Sequence, residues 1–352
     1  MKNVKFCDVS GEHGFSYEGI DEDELGGIIE YHFSLQSLWN HISLDDFEVE
    51  LLINPLLNRE SNVYELRGEN NKTVGYVFPI SLLDSDSDFS EYRNINNYVF
   101  VAFYVLLKRI PNIKNENVFS ENFEENICVC VFHKPSVNIA HPLKRCIHSL
   151  RKYGYSYFEP NNSIKSINGY KAQLYFADGN RTNRIKLVFK EPSLYRNSMI
   201  DSILRSLPKA DNLTHRFVLL YQVIETLFEE LSFKKIDEEI TKYRNDQIPS
   251  NDFQENIKKL SSERSKISDI FDDSNVETSA EAQNFKESCI HLFDLIHYKP
   301  SKEGVKDIFY SFRNQMTHSY RKLLGYHEEL AETTQYFELL VLKIIEKYPY
   351  LK

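Results

Sequence analysis

The hydrophobic period changes near residue 194, and this change constrains the fold more than any other feature of the sequence. Before it, apolar residues come in short runs, whereas after it they recur every three or four residues over long segments. The first pattern is typical of strands and the second of amphipathic helices. A chain of 352 residues is long enough for two separate cores. We therefore expect an α+β protein, with a mixed, strand-rich N-terminal domain (1–193) followed by an up-and-down α-helical bundle (194–352).

The N-terminal part contains several short segments that we expect to be strands, because they are rich in β-branched and aromatic residues. The wholly apolar segment 98–107 cannot by itself be told from a buried helix, but its composition favours a strand. After Pro135, apolar residues recur at helical spacing up to Leu150, which predicts a helix that ends near Gly154. The predicted strands are 27–35, 47–53, the hairpin 62–67 with 73–78, 98–107, 127–132, and the hairpin 170–176 with 184–189.

The C-terminal part has helical periodicity in the segments 213–231, 280–298, 303–324 and 328–348. Residues 233–275 are highly charged, with both signs mixed and few large apolar side chains. They are expected to form either two exposed helices or an arm that packs on another subunit. Pro249 predicts a break within them, because proline cannot continue a helix.

Composition narrows the class of protein. The net charge is −10, from 42 basic and 52 acidic residues, which argues against an extensive nucleic-acid surface. An enzyme that handles one short single-stranded segment needs only a local positive cleft, however. The sequence has no apolar run of membrane-spanning length and no apolar N-terminal stretch, so we expect a cytoplasmic protein without a membrane partner.

The five cysteines are odd in number and scattered along the chain, as is usual in a reducing compartment. Cys128 and Cys130 share one side of a predicted strand. A second cysteine pair that would complete a zinc site is absent, so we expect both to be core residues and predict no metal site.

Four polar residues lie close together within residues 311–321, namely Arg313, Asn314, His318 and Tyr320. Asn314 and His318 share a helix face because they are four residues apart. Arg313 projects about 140° away from His318 at 3.6 residues per turn, so it reaches the same cleft only through its long side chain or an irregular helix. Histidine serves as acid or base near neutrality, and arginine can bind phosphate at two positions. These residue types fit RNA cleavage in which a 2′-hydroxyl attacks the adjacent phosphorus.

This motif resembles the signature of the HEPN superfamily, small helical bundles many of which are metal-independent endoribonucleases. In that signature an arginine, often followed by a polar residue, precedes a histidine near the start of a late helix. Arg313, Asn314 and His318 match it. Residues 216–227 look like the first helix of the ApeA-like HEPN branch. The resemblance covers about residues 195–352 and makes the charged stretch 233–275 an insertion.

The resemblance implies that Arg313 and His318 are catalytic, and that Asn314 orients the imidazole or binds a phosphate oxygen. HEPN enzymes generally form dimers in which two motifs face each other across a shared cleft. The resemblance therefore implies a homodimer with a composite active site.

Four further residues are candidates for supporting roles. Tyr320 either lines the core or cleft, or corresponds to the tyrosine that a partner enzyme modifies in one HEPN toxin branch. Arg321 and Lys322 either contact the RNA backbone or form a solvated helix face. Glu225 either pairs with Arg313 or is an ordinary surface glutamate.

We therefore expect a metal-independent endoribonuclease that uses no cofactor and acts on RNA as a toxin or antiviral defence effector. The N-terminal part shows no catalytic motif, so we expect it to sense a trigger or bind an antitoxin partner. The alternative is a catalytically inactive HEPN-type module that binds RNA or protein. A third hypothesis is a structural or regulatory dimer without a nucleic-acid role.

Overall fold

The computed structural model describes residues 43–54, 63–84, 95–109, 119, 122–159, 183–190 and 199–348, and the backbone of three strands within residues 4–33. The chain divides into two compact units. The predicted domain boundary near residue 193 lies outside the described residues and stays a prediction. The first unit contains the described residues of Met1–Leu150, Gly154–Pro160 and Asp178–Phe189, and the second those of Arg151–Tyr153, Asn161–Ala177 and Lys190–Lys352.

A three-stranded antiparallel sheet comes first in the chain. Its strands pair in sequence order, so each is joined to the next as in a meander. The third strand confirms the prediction for residues 27–35. The strands are β1 (Val4–Val9), β2 (Glu12–Glu18) and β3 (Ile28–Phe33).

A six-stranded sheet forms the rest of the described β-structure in the first unit. Its order is β8-β4-β7-β6-β5-β9, and every pairing is antiparallel except β5 with β9. It confirms the predicted strands 47–53 and 127–132 and the first predicted hairpin. Of the second predicted hairpin, 184–189 contains β9, whereas 170–176 lies outside the described residues. The strands are β4 (Phe47–Ile53), β5 (Tyr64–Arg67), β6 (Thr73–Pro79), β7 (Ile127–His133), β8 (Ser156–Tyr157) and β9 (Arg184–Lys186).

The central strand β7 is buried along almost its whole length. Cys128 and Cys130 on it are fully buried free thiols, so the prediction that they are core residues is confirmed. Burial raises the pKa of both thiols well above its usual value, because a thiolate would be desolvated there.

A half-buried carboxylate joins the edge strand β9 to the sheet. Glu65 on β5 accepts hydrogen bonds from Arg67 Nη2 (2.8 Å), from Arg184 Nε (3.1 Å) and from the Thr73 hydroxyl. Burial by itself raises the pKa of Glu65, but the hydrogen bonds from Thr73 and Arg67 and the two positive charges outweigh it. The pKa therefore lies below its usual value of 4.5.

The strand predicted at 98–107 is wrong, because this segment forms helix α1 (Ile95–Arg109). Most residues of α1 are buried, including the Asn97 amide. A helix that is buried all round shows no amphipathic period. The prediction for this segment therefore rested on its composition, which resembles that of a core strand. Its length of 15 residues is typical of a helix and exceeds the usual strand.

The other helical prediction for the N-terminal part is confirmed by α2 (Pro142–Arg151). Gly154 follows it with a φ of 86°, a left-handed conformation that glycine adopts without steric cost. The first unit also contains a helical turn at Lys134–Val137 and 3₁₀ turns at Leu44–Asp46 and Ile80–Asp84.

The second unit is helical over its described length after residue 198, so the prediction of a strand-containing part followed by a helical part is confirmed. The helices are α3 (Met199–Ser206), α4 (Leu213–Arg244), α5 (Ser250–Ser261), α6 (Glu263–Ser274), α7 (Ala280–Leu295), α8 (Val305–His318) and α9 (His327–Lys347), with 3₁₀ turns at Leu207–Lys209 and Tyr320–Lys322.

The charged stretch 233–275 differs from the expectation of two exposed helices, and its packing on another subunit stays a prediction. Its first part continues α4, and α5 begins after the break predicted at Pro249. Helix α5 has no buried residue, as expected for an exposed helix. Helix α6 instead buries Ile267, Ile270 and Phe271, so it belongs to the core of the helical unit.

Aromatic rings fill the centre of the helical unit. Phe309 and Phe312 of α8 are buried and meet rings from α4, α7 and α9 at centroid distances of 5.3–6.4 Å among the cluster. Such offset and edge-to-face pairs add to the burial of apolar area. The cluster thereby fixes the rotation of α8 about its axis. Its members are Phe217, Tyr221, Phe271, Phe285, Phe309, Phe312 and Phe337.

In the part of the chain that the structure describes, none of the helices combines the length and the apolar character that crossing a membrane requires.

Candidate functional site

Helix α8 carries the polar motif at its C-terminal end. One face of α8 packs against the core through Phe309, Phe312 and Met316. Arg313 lies at the margin of that face, with 22% of its side chain exposed. The helix ends at His318, whose side chain is exposed. The prediction that the helix extends to residue 324, with the motif near its start, is therefore wrong.

Arg313 and His318 come together within a single chain. Arg313 Nη1 lies 3.3 Å from His318 Nε2 and donates a hydrogen bond of 3.1 Å to the Asn314 side-chain oxygen. The two residues are five positions apart, so the backbone projects them in different directions. The length of the arginine side chain closes the gap, which was one of the two routes expected from the sequence.

The hydrogen bond between Arg313 and His318 requires one particular tautomer of the imidazole. A guanidinium can only donate hydrogen bonds, so Nε2 of His318 must accept. The contact is therefore a hydrogen bond only while His318 is neutral with its proton on Nδ1. In that form Nε2 carries the lone pair that a general base needs.

Glu263, the first residue of α6, is the ion-pair partner of Arg313. Its Oε1 lies 2.9 Å from Arg313 Nε, although the N–H does not point at the oxygen closely enough for a hydrogen bond. The same Oε1 accepts a hydrogen bond from the hydroxyl of Tyr221 on α4. The Arg313 guanidinium also lies over the Tyr221 ring, 5.8 Å from its centroid. Three helices thus converge on one arginine.

Tyr221 is locked in its neutral form by this arrangement. Its side chain is 5% exposed, and burial raises the pKa of the phenol, as do the hydrogen bond to Glu263 and the negative charge of that residue. Tyr221 therefore acts as a hydrogen-bond donor at neutral pH, and Glu263 has a fixed acceptor role.

Glu225 is not the ion-pair partner of Arg313, contrary to one of the two expectations for it. It is an exposed residue of α4 whose carboxyl is partly desolvated by neighbouring protein atoms, and this desolvation raises its pKa. The nearby charges of Glu263 and Glu229 raise the pKa further, whereas Arg313 lowers it. The charges of this cluster therefore influence the pKa of Glu225, although Glu225 forms no ion pair with Arg313.

The remaining predicted site residues lie beyond the end of α8. Tyr320, Arg321 and Lys322 form a 3₁₀ turn, with Tyr320 half-buried and the two basic side chains exposed. They therefore do not belong to a solvated face of the same helix. The basic side chains follow His318 directly in the chain and add positive charge beside it.

Sequence reasoning missed Glu263 and Tyr221. The only available signal for Glu263 was the preceding Ser262, a good helix cap whose side chain accepts from the Ser265 backbone N–H. Tyr221 has the spacing of a core residue of α4 and is buried as such. Neither pattern distinguishes a residue that contacts Arg313.

Among the described residues, no group of three or more histidine, cysteine, aspartate or glutamate side chains is arranged to hold a metal ion. Comparison of the chain with protein-family models, with curated proteins and with solved structures yielded no match.

Proposed function

We propose that this protein is a metal-independent endoribonuclease of the HEPN type, with a homodimeric active site around Arg313 and His318. The observation that carries the proposal is the 3.3 Å approach of Arg313 Nη1 to His318 Nε2 at an exposed helix end. A fixed cation and a titratable base at this distance match the two needs of RNA cleavage, namely charge stabilisation at phosphorus and removal of the 2′-hydroxyl proton.

In the proposed reaction, Nε2 of His318 removes the proton from the 2′-hydroxyl, and the oxygen attacks the adjacent phosphorus. The bond from phosphorus to the 5′-oxygen breaks, leaving a 2′,3′-cyclic phosphate. Arg313 neutralises the charge that develops on the phosphoryl oxygens. The departing 5′-oxygen needs a proton, and one imidazole cannot both take and give a proton in the same step. The His318 of a second copy would supply it, which is the chemical argument for a homodimer.

Substrate binding must rearrange the hydrogen bond between Arg313 and His318. The Nε2 lone pair of His318 points at Arg313 in the structure, and base catalysis requires it to face the 2′-hydroxyl. Asn314 shares Nη1 of Arg313 and can keep the guanidinium in place while the imidazole turns. This gives Asn314 a positioning role in the proposal.

The test is cleavage of a short, single-stranded RNA in the presence of EDTA. We expect products with cyclic-phosphate ends, and a loss of at least about 100-fold in rate for His318→Ala and Arg313→Ala. Matched controls are His291→Ala and Arg244→Ala, which remove exposed side chains of the same types from α7 and from the end of α4. If both site variants cut as fast as their controls, the proposed function is wrong.

A catalytically inactive module that binds RNA or protein is the second candidate. The observation in its favour is the ion pair with Glu263, which lowers the positive charge that Arg313 can offer to a reacting phosphoryl group. This candidate predicts retention of RNA without turnover, and an Arg313→Ala variant that loses affinity. A gel-shift measurement at low salt beside the cleavage assay separates the two candidates.

A further inference from the structure

Glu263 belongs to the charged stretch 233–275, but it lies on a helix that is anchored in the core. It is the first residue of α6, and the Ser262 side chain caps this helix. Three α6 residues, Ile267, Ile270 and Phe271, are each about 1% exposed. The carboxylate therefore projects from a helix that is anchored in the core and not from a mobile arm.

The contacts of Glu263 define which edge of the arginine it holds. Its Oε1 lies beside Nε of Arg313, while Nη1 is directed to His318 and Asn314. The tyrosine that donates to Glu263, Tyr221, is itself fixed by ring stacking on Phe217 at 5.7 Å. The Nε side of the guanidinium is thus held by Glu263, while Nη1 is directed to His318 at the exposed helix end.

We propose that Glu263 is a positioning residue for the cleavage reaction: it holds the Nε side of Arg313 so that Nη1 faces His318 and the scissile phosphate that binds beside it. This inference rests on the function proposed above. An arginine has several rotatable bonds, and a guanidinium that is already oriented loses less freedom when the phosphate binds. The Tyr221 hydroxyl fixes the carboxylate in turn.

The opposite role for the same carboxylate would be inhibition, in which Glu263 occupies Arg313 in place of phosphate. The geometry favours positioning, because the carboxylate lies at the Nε side, whereas Nη1 is the nitrogen that faces His318. The two roles also predict opposite changes in the cleavage rate when the carboxylate is removed. Removal of an inhibitory carboxylate speeds cleavage, whereas removal of a positioning carboxylate slows it.

The first arm of the experiment compares Glu263→Gln with Glu255→Gln in the full chain. The glutamine at position 263 keeps an acceptor for Tyr221 and removes the charge that holds Arg313. Glu255 lies on the exposed helix α5 and pairs with Lys259 at 2.8 Å, so it is a matched control. We expect Glu263→Gln to lower kcat/KM about 10–100-fold, with the melting temperature close to that of the control.

In an Arg313→Lys background, Glu263→Gln should have little further effect on kcat/KM, since the guanidinium that it positions is gone. A purely structural role would instead lower the rate by the same factor in both backgrounds. Equal effects in the two backgrounds, or a rate for Glu263→Gln equal to or above that of the control, overturn the inference and leave the proposed function intact.

The second arm does not depend on turnover. In protein labelled with ¹⁵N-arginine, the Nε–H resonance of Arg313 is the one absent from Arg313→Lys. We expect it to be sharp and slowly exchanging in the wild type and in Glu255→Gln, and broadened or moved to the free-arginine position in Glu263→Gln. An unchanged resonance shows that Glu263 does not hold Arg313 and overturns the inference. Absence of cleavage by the wild type overturns the proposed function instead, even where the resonance responds.

Discussion

Removal of the charge of Glu338 should strongly destabilise the helical unit. Glu338 on α9 is 2% exposed and joins two buried arginines that belong to the same unit. Its Oε2 accepts from Arg216 Nε (2.9 Å) and Nη2 (2.7 Å), and its Oε1 accepts from Arg151 Nε (3.0 Å). Glu338→Gln replaces one acceptor with an amide donor and removes the negative charge that the two buried guanidinium groups share.

The magnitude follows from the burial of all three groups. Breaking a buried ion pair by removing one partner costs about 3–5 kcal/mol, because the remaining charge stays desolvated. In a unit of this size, that corresponds to a fall of about 6–20 °C in melting temperature. The matched control is Glu255→Gln, whose pair with Lys259 is more than 60% exposed on both sides and is therefore screened by water.

Differential scanning calorimetry or helical circular dichroism measures the transition of the helical unit in both variants. A melting temperature for Glu338→Gln within about 2 °C of that of Glu255→Gln would contradict the expected loss. A triple variant that replaces Arg151 and Arg216 with methionine and Glu338 with leucine should recover much of the loss, since none of these three charges then remains buried. Recovery by the triple variant separates a charge effect from a packing effect.

Three further predictions concern stability. Glu65→Gln should destabilise the first unit by about 1–3 kcal/mol at pH 7, because charge-assisted hydrogen bonds are lost. The folded-state pKa of Glu65 is lowered below 4.5, so its contribution to stability is fully present above pH 4.5 and is lost as the pH falls through the folded-state pKa. The denaturation curves of the variant and the wild type should therefore converge at low pH. Gly75→Ala should prevent or severely weaken folding of the six-stranded sheet, because a Cβ would lie 2.2 Å from the Val131 carbonyl oxygen. Its control, Gly325→Ala, should melt like the wild type, because a Cβ there meets no atom within 4 Å. Asn212→Ala should cost about 1 kcal/mol in urea denaturation, because its side chain caps the first turn of α4 through a 2.8 Å hydrogen bond, and an unchanged midpoint would show that the cap does not stabilise α4.

Much of the helical unit could be predicted from the sequence because its helices are amphipathic. Segments 280–298 and 328–348 each contain a helix that begins and ends within two or three residues of the prediction. The failure at α1 has the opposite cause. That helix is buried nearly all round, so its apolar pattern carries no period that tells helix from strand.

The candidate site could be predicted only in part. Arg313, Asn314 and His318 are close in sequence, so local helical geometry brings them near one another. Glu263 is 50 residues from Arg313 in the chain, and its position depends on how α6 packs against α8. Spacing rules describe neighbours within one element, and they contain no information on contacts between elements.

By itself, the sequence determined the division into a strand-rich part and a helical part, and the presence of an arginine and a histidine within two helical turns. Those features depend on the hydrophobic period and on local geometry, which are properties of adjacent residues. Only the tertiary structure decided that Arg313 meets His318 in one chain, that Glu263 and not Glu225 is its ion-pair partner, and that Tyr221 fixes that carboxylate. The physical reason is that ion pairs and aromatic contacts depend on distances of a few ångströms between helices, and these distances are set by packing of the whole core.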